Sequence, residues 1–238
     1  MSEHVNLRRR GSYGIDAPIA PVFIGGVSAL EFTLAVLFGN VRNLLAGLFV
    51  LAILGFYLHG TLRGKFVLWA KLLNTLNLQG DERVLDMGCG RGAVLLMAAQ
   101  HLTTGRAVGV DLWRTIDQSG NSVEATRRNA LAEGVADRVE LLTGDMRALP
   151  LEDNSFDLVL SSLAIHNISG RAGREKAISE AVRVLRPGGR LMIVDVRGTR
   201  QHQAQLAKSG MRDVARRWLG WRYGPASLVT ATKPADRI

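Results

Sequence analysis

VLDMGCGRG at residues 84–92 decides the fold of this chain. A short apolar run ends at an acid, Asp86, and glycines follow at alternate positions, at Gly88, Gly90 and Gly92. The next apolar residues read as a helix. Glycine lets a backbone approach a ligand where a Cβ would clash, and the free N–H groups at a helix start favour an anionic or polar ligand group. The stretch therefore predicts a strand, a tight turn and a helix that together bind a nucleotide-type cofactor.

Glycine spacing alone does not identify that cofactor. Gly88, Gly90 and Ala93 also satisfy the dinucleotide-binding pattern G-x-G-x-x-G/A. Two features point away from a dinucleotide: Asp86 lies two residues before the first glycine, and Gly92 continues the alternation. A glycine turn between packed elements, with no ligand, is the structural alternative.

Around this stretch, short apolar runs alternate with amphipathic helices, which is the pattern of a parallel sheet covered on both faces. Strands are predicted at residues 83–87, 107–111, 138–142, 156–161, 190–195, 214–218 and 227–232, and helices at 92–102, 122–133, 174–185 and 200–209. We therefore expect an α/β fold with a doubly wound, mostly parallel, seven-stranded sheet.

Several segments of this region resemble, in the same order, the motifs of class I S-adenosylmethionine-dependent methyltransferases. They lie at residues 84–92, 144–146, 156–162 and 185–189. The resemblance covers most of residues 80–233 and implies a Rossmann-like methyltransferase fold with S-adenosylmethionine as cofactor. The cofactor-binding residues that we expect are Asp86, Gly88, Cys89, Gly90, Asp111, Leu112, Trp113, Asp145, Met146 and Ser161.

Two acids have expected roles in binding that cofactor. Asp111 ends the second strand, where a carboxylate can accept both hydroxyls of a ribose. The resemblance places the adenine amino group on Asp145 and the adenine ring on Met146. Ordinary solvation at a strand end is the alternative for both acids.

His166, just past the fourth strand, is the candidate catalytic residue because the family often lines its acceptor site there. Histidine suits proton transfer, although a histidine held by loop backbone is the alternative.

The loop at residues 113–122 is longer than is usual in the family. We expect it either to close over the cofactor or substrate or to be an exposed insertion. No cluster has the spacing of metal ligands, and Cys89 is more consistent with a small filler than with a nucleophile.

Two apolar segments precede the cofactor motif, at residues 19–39 and 44–62. Each approaches the ~20 apolar residues that a membrane-spanning helix needs, and the short link between them forces an antiparallel hairpin. Within them Glu31 is costly in lipid and marks either a functional contact or a hydrogen bond that fixes helix packing. A soluble domain with a very apolar hairpin is the alternative.

Basic residues flank the outer ends of this hairpin, with residues 8–10 before it and Arg63, Lys65 and Lys71 after it, whereas its tip carries Arg42. The positive-inside rule therefore places both termini in the cytoplasm. We expect a multi-pass protein of the inner (cytoplasmic) membrane. Its parts are a cytoplasmic tail at 1–18, a transmembrane hairpin at 19–62, an interfacial amphipathic helix at 63–78 and the methyltransferase domain at 79–238.

The interfacial helix is expected to hold Trp69 at headgroup level and to guide a lipid past Phe66 toward the cofactor. A helix that packs on the catalytic sheet is the alternative, and both can hold at once. The domain has no cap between its fifth and sixth strands, so the membrane segment is the element left to form the acceptor site. Removal of residues 1–76 is accordingly expected to abolish turnover while cofactor binding survives.

The net charge of +9 and the pI near 10.5 fit an acidic membrane surface or nucleic acid. Basic and aromatic residues mix near the end of the chain, at Arg212, Arg216, Arg217, Trp218, Trp221, Arg222 and Tyr223. A membrane-facing edge explains them, so we predict no nucleic-acid partner. The transmembrane helices also offer a contact for a homo-oligomer.

Three functions fit these patterns. The leading one is a membrane-anchored methyltransferase of a lipid or lipid-like acceptor, such as a quinone precursor or a phospholipid amine. The second is a methyltransferase of soluble molecules or protein whose hairpin is only an anchor. The third is a membrane scaffold that binds the cofactor without catalysis.

Overall fold

A computed structural model describes residues 9–221 and 224–235. Arg8 of the basic cluster, and Arg222 and Tyr223 of the basic–aromatic stretch, lie outside the described residues. The helices are α1 Ile19–Phe38, α2 Val41–His59, α3 Lys65–Asn74, α4 Ala93–Ala99, α5 Val123–Glu133, α6 Arg171–Val184 and α7 Thr199–Lys208. The strands are β1 Arg83–Met87, β2 Arg106–Asp111, β3 Val139–Thr143, β4 Phe156–Ser162, β5 Leu185–Asp195, β6 Arg212–Trp218 and β7 Ser227–Thr232.

The seven strands form one sheet in the order β3-β2-β1-β4-β5-β7-β6. Strands β1 to β5 pair in parallel, and β7 runs antiparallel between β5 and β6. The strand order reverses between β1 and β4, and in open α/β sheets ligands bind outside the carboxyl ends of the strands at such a point. This topology confirms the predicted fold class.

The fifth strand begins earlier than predicted. Its pairing with β4 jumps from Phe156↔Leu185 to Leu158↔Arg190. The Pro-Gly-Gly segment at residues 187–189 therefore forms a bulge within the strand, because Gly188 at φ 79° turns the chain there.

The segment predicted as an interfacial helix is part of the core. Helix α3 buries Phe66, Trp69, Leu72 and Leu73, and Trp69 is 0% exposed. These side chains join α4 on one face of the sheet. Placement of Trp69 at headgroup level is therefore wrong, because the indole packs inside the domain and its Nε1 donates to Ser162 Oγ at 2.8 Å.

Helices α2 and α3 are continuous through a π-helical turn, Gly60–Gly64. The apolar helix Val41–Asn74 and helix α1 are each long and apolar enough to cross a membrane, judged by length and composition, and little of either apolar stretch is buried within the protein. The two pack as a hairpin in which Ser28 Oγ donates to the Gly47 carbonyl at 2.9 Å. Glu31 accepts from Asn43 Nδ2 at 2.7 Å, which is the packing contact expected for it as one alternative.

The described part of the expected N-terminal tail is a strap bound to the α/β domain. Its backbone N–H groups at Gly11 and Ser12 donate to Glu133 and Asn129 of α5, each at 2.9 Å. Farther along, the Ile15 N–H donates to Ser119 Oγ at 2.8 Å. The strap thus crosses the loop at residues 113–122 and reaches the carboxyl end of the sheet at Asp16, three residues before α1 begins.

Candidate active site

A cleft lies at the carboxyl ends of β1 to β4, where the strand order reverses. Of the ten predicted cofactor-binding residues, eight line it: Asp86, Gly88, Cys89, Gly90, Asp111, Leu112, Asp145 and Met146. The structure therefore brings together side chains that are up to 60 positions apart in sequence (Asp86 to Met146).

Glycine is required at two positions of the loop between β1 and α4. The atoms that a Cβ would meet there belong to the protein and not to a ligand. Gly88 has φ 76°, and a Cβ there would lie 2.3 Å from Ala164 Cβ. Gly90 has φ 52°, and its Cβ would lie 2.4 Å from Gln118 Oε1. The loop is therefore packed directly against Ala164, after β4, and Gln118, after β2. A side chain at either glycine would displace the residue that it meets.

Asp111 is fixed by the backbone around it. Its Oδ2 accepts from the Gly90 N–H at 2.8 Å, and its Oδ1 accepts from the Trp113 N–H at 2.6 Å and from Asn121 Nδ2 at 3.1 Å. Since a carboxylate offers about four acceptor positions, one position remains, so Asp111 has room for one ligand hydroxyl and not for the two that the sequence predicted. Trp113 itself does not line the cleft, because its Nε1 turns to Thr143 Oγ1 at 2.8 Å.

Asp86 is 1% exposed, and its Oδ1 has no hydrogen-bond partner in the part of the chain that the structure describes. Burial, reinforced by the nearby charge of Asp111, raises the pKa of Asp86 to about 7. A buried carboxyl that lacks a partner and faces a cleft is stabilised by a cationic ligand group. The amino group of S-adenosylmethionine is such a group, so this carboxyl fits the cofactor.

Ser161 was predicted to bind the cofactor, but it does not line the cleft. Its side chain is 1% exposed and its Oγ donates to the Met87 carbonyl at 2.9 Å, so it links β4 to β1 and faces away from the cleft. The next residue, Ser162, lines the cleft instead. The period of two along a strand explains the miss, since neighbouring side chains point to opposite faces.

Two further predicted residues have well-defined surroundings. Arg147 binds both oxygens of Asp145, with Nε at 3.0 and 2.9 Å, and this pairing lowers the pKa of Asp145. Burial raises the pKa of the Cys89 thiol well above its ordinary value. A thiol kept protonated is a poor nucleophile, which agrees with its expected role as a filler.

His166 stands in the 3₁₀ turn Ile165–Asn167 after β4, and its ring is held by an acid that sequence reasoning missed. Asp195, fully buried at the end of β5, lies 2.6 Å from His166 Nδ1 and also accepts from the His166 backbone N–H at 3.1 Å. A carboxylate at that distance fixes the tautomer with the proton on Nδ1, which leaves Nε2 as the basic nitrogen. His166 does not itself line the cleft, but Ala164 and Asn167 on either side of it do.

The long loop at residues 113–122 is part of the cleft wall and not an exposed insertion. Gln118 and Asn121 are 8% and 4% exposed. Gln118 Oε1 accepts from the Arg91 N–H of the glycine loop at 2.7 Å, while its Nε2 donates to Asp16 Oδ1 at 2.9 Å. Asp16 and Lys65, assigned from sequence to the tail and the interfacial helix, also line the cleft.

Residues 85–193 match the family described as a methyltransferase domain. The ubiquinone/menaquinone biosynthesis C-methyltransferase UbiE of Roseobacter denitrificans is 33% identical over 129 residues, which are 54% of this chain and 48% of that protein. The demethylmenaquinone methyltransferase of Lactiplantibacillus plantarum is 32% identical over 129 residues, 53% of this chain and 51% of that protein. The chain thus spans about half the length of the curated relatives it matches.

The fold is shared with solved structures as well. The crystal structure of a SAM-dependent methyltransferase from Aquifex aeolicus has a TM-score of 0.56 and 22% sequence identity, covering 69% of this chain and 88% of that one. At this identity the similarity establishes the sheet and its helices, and it leaves the acceptor to be argued from the site.

Proposed function

We propose that the chain carries a class I S-adenosylmethionine-dependent methyltransferase domain and that it methylates a quinone-type lipid acceptor at the surface of a membrane. The proposed cofactor is S-adenosylmethionine, whose amino group suits the buried Asp86 carboxyl at the cleft, with its Oδ1 unpartnered among the residues that the structure describes. One relative is a C-methyltransferase of ubiquinone/menaquinone biosynthesis and another is a demethylmenaquinone methyltransferase, which supports this acceptor class.

One structural observation carries the proposal: the second apolar helix enters the catalytic domain without a break. It runs from Val41 through the π-helical turn into α3, whose Lys65 lines the cleft and whose Trp69 binds Ser162 beside it. An acceptor with an apolar tail could therefore keep that tail in lipid while its head group reaches the cleft. Exposure of the tail to water would cost about 0.8 kcal/mol per methylene.

Phe66 and Trp69 do not line such a path, because both are buried in the core. Exposed aromatic side chains lie elsewhere near the end of α2. Trp221, 66% exposed, contacts Phe56 of α2 at a ring-centroid distance of 6.3 Å, and Trp218, 48% exposed, contacts Trp221 at 5.8 Å. Aromatic side chains are enriched at membrane interfaces, so this cluster supports an orientation with the β6 edge against the lipid headgroups.

In the proposed site the chain's own residues orient the cofactor and accept a proton. Asp111 holds the ribose, Asp145 and Met146 hold the adenine, and Asp86 faces the amino group. When bound, the cofactor supplies an electrophilic methyl group. An acceptor carbon or oxygen that gains a methyl group and loses a proton needs a base, and His166 Nε2, held ready by Asp195, takes that proton. A phenolic acceptor gains more from this base than an amine does.

The acceptor assignment is tested by supplying the purified full-length protein with S-adenosylmethionine and three acceptor sets. These are demethylated quinol precursors in lipid vesicles, the tail-less quinol head group in buffer, and a phospholipid amine. We expect methylation of the tailed quinol at a rate at least tenfold above the tail-less head group. Equal rates for the two quinols support a soluble acceptor, and cofactor binding without any methylated product supports the scaffold.

The membrane orientation is tested by cysteine labelling on a Cys89→Ala background. With both termini in the cytoplasm, a cysteine replacing Val41 at the hairpin tip should react with an impermeant reagent added outside intact cells. A cysteine replacing Arg10 should react only after the membrane is opened. Extraction of the protein by an alkaline wash, or the reverse labelling pattern, contradicts the hairpin.

A further inference from the structure

Lys65 is a buried cation in the cleft wall with a hydrogen-bond donor to spare. It is the first residue of α3, it is 7% exposed, and it lines the cleft together with Asp16. Its Nζ donates to both oxygens of Asp16, each at 2.8 Å. An ammonium group has three N–H donors, so one is left for an acceptor in the cleft.

The carboxylate oxygens of Asp16 accept four hydrogen bonds, and this network holds Lys65 in place. Besides Lys65, its oxygens accept from Thr61 Oγ1 at 2.7 Å and from Gln118 Nε2 at 2.9 Å. Gln118 in turn binds the Arg91 N–H of the glycine loop. A chain of hydrogen bonds thus runs from the end of the apolar helix to the cofactor loop, and it fixes the position of the Lys65 ammonium relative to that loop.

The sheet order tells which part of the cofactor lies near Lys65. Asp145 follows β3 and Asp111 ends β2, so the proposed adenine and ribose sites occupy one side of the cleft. Trp69, one helical turn beyond Lys65, binds Ser162 at the end of β4 on the other side. The amino-acid end of the cofactor must extend in this second direction, across the end of β1.

We propose that Lys65 binds the carboxylate of the cofactor's amino-acid group and that Asp16 is the positioning residue for Lys65. The inference rests on the proposed placement of ribose and adenine, and it is independent of the acceptor. A charge-assisted bond from a buried ammonium to a carboxylate is among the stronger polar contacts. The start of α3 and the strap before α1 then complete the cofactor site. Both segments lie outside residues 85–193, which match the methyltransferase family.

The test measures binding to the full-length protein in detergent with ligands that differ only in the amino-acid end. S-adenosylhomocysteine has both charged groups, its decarboxylated analogue lacks the carboxylate, and methylthioadenosine lacks the whole amino-acid group. We expect Lys65→Gln to weaken S-adenosylhomocysteine about tenfold to a hundredfold, as for the loss of one charge-assisted bond. Binding of the other two ligands should change less than twofold. Asp16→Asn should show the same selectivity with a smaller effect.

Lys71→Gln, on the exposed side of the same helix, is the matched control and should alter none of the three affinities. If Lys65→Gln weakens all three ligands alike, or cannot bind methylthioadenosine, the ion pair is structural and the proposal fails. Unchanged affinity for S-adenosylhomocysteine combined with a raised KM for the acceptor would assign Lys65 to the acceptor and overturn it too. If wild-type protein fails to bind methylthioadenosine but binds S-adenosylhomocysteine, the proposed ribose and adenine sites fail instead.

Discussion

Removal of residues 1–76 should leave residues 77–238 unable to fold cooperatively. Helix α3 places four large apolar side chains, Phe66, Trp69, Leu72 and Leu73, in the core at 5% exposure or less. Burial of each stabilises the fold by about 1.5–3 kcal/mol, or about 6–12 kcal/mol for the four. That equals most of the roughly 5–15 kcal/mol by which a domain is stable. Denaturant unfolding followed by circular dichroism measures the effect.

Truncation of residues 1–61 is the matched control, because it removes the apolar hairpin and the strap but retains α3. It should keep a cooperative unfolding transition, at a lower denaturant midpoint. The sequence alone led to a different expectation, namely a folded domain after the longer truncation that still binds cofactor. A cooperative transition for residues 77–238 at the midpoint of the full chain would restore that expectation and contradict the core role of α3.

The sheet was predictable because its signals are local. Each strand is a short apolar run bounded by turn residues, and β1, β6 and β7 were predicted within about two residues of their observed ends. The cleft was predictable for a related reason. The carboxyl ends of parallel strands meet at one edge, so acids at or just beyond the ends of β1, β2 and β3 must come together there. The motif resemblance added the roles of those acids.

The contacts between the N-terminal region and the cleft were not predictable in this way. The bond between Asp16 and Gln118 joins residues 102 positions apart, and neither segment has a periodicity that indicates its partner. The apolar stripe of α3 was predicted correctly from its helical spacing. Such a stripe fits a membrane surface and a protein core equally well. Tertiary packing decided between them, and it placed the stripe against α4.

The second large effect concerns the proposed base. His166→Gln should lower kcat for a phenolic acceptor by about 10²–10⁴, the usual contribution of a general base, while the affinity for S-adenosylhomocysteine stays within twofold. Asp195→Asn should lower kcat by a smaller factor, because a neutral amide binds the Nδ1 proton less strongly than the carboxylate does. His101→Gln, an exposed histidine in the turn after α4, is the control and should leave kcat unchanged.

The pH profile separates a base from a merely structural histidine. Without a base the acceptor hydroxyl must ionise by itself, and a phenol does so only near pH 10. The activity of His166→Gln should therefore rise with pH, by about tenfold per unit below the acceptor's own pKa, and approach that of the wild type in alkaline solution. The wild type should show no such recovery, because a general base at position 166 would make spontaneous ionisation of the acceptor unnecessary. A variant whose deficit is the same at every pH would mean that His166 and Asp195 only fix the loop after β4.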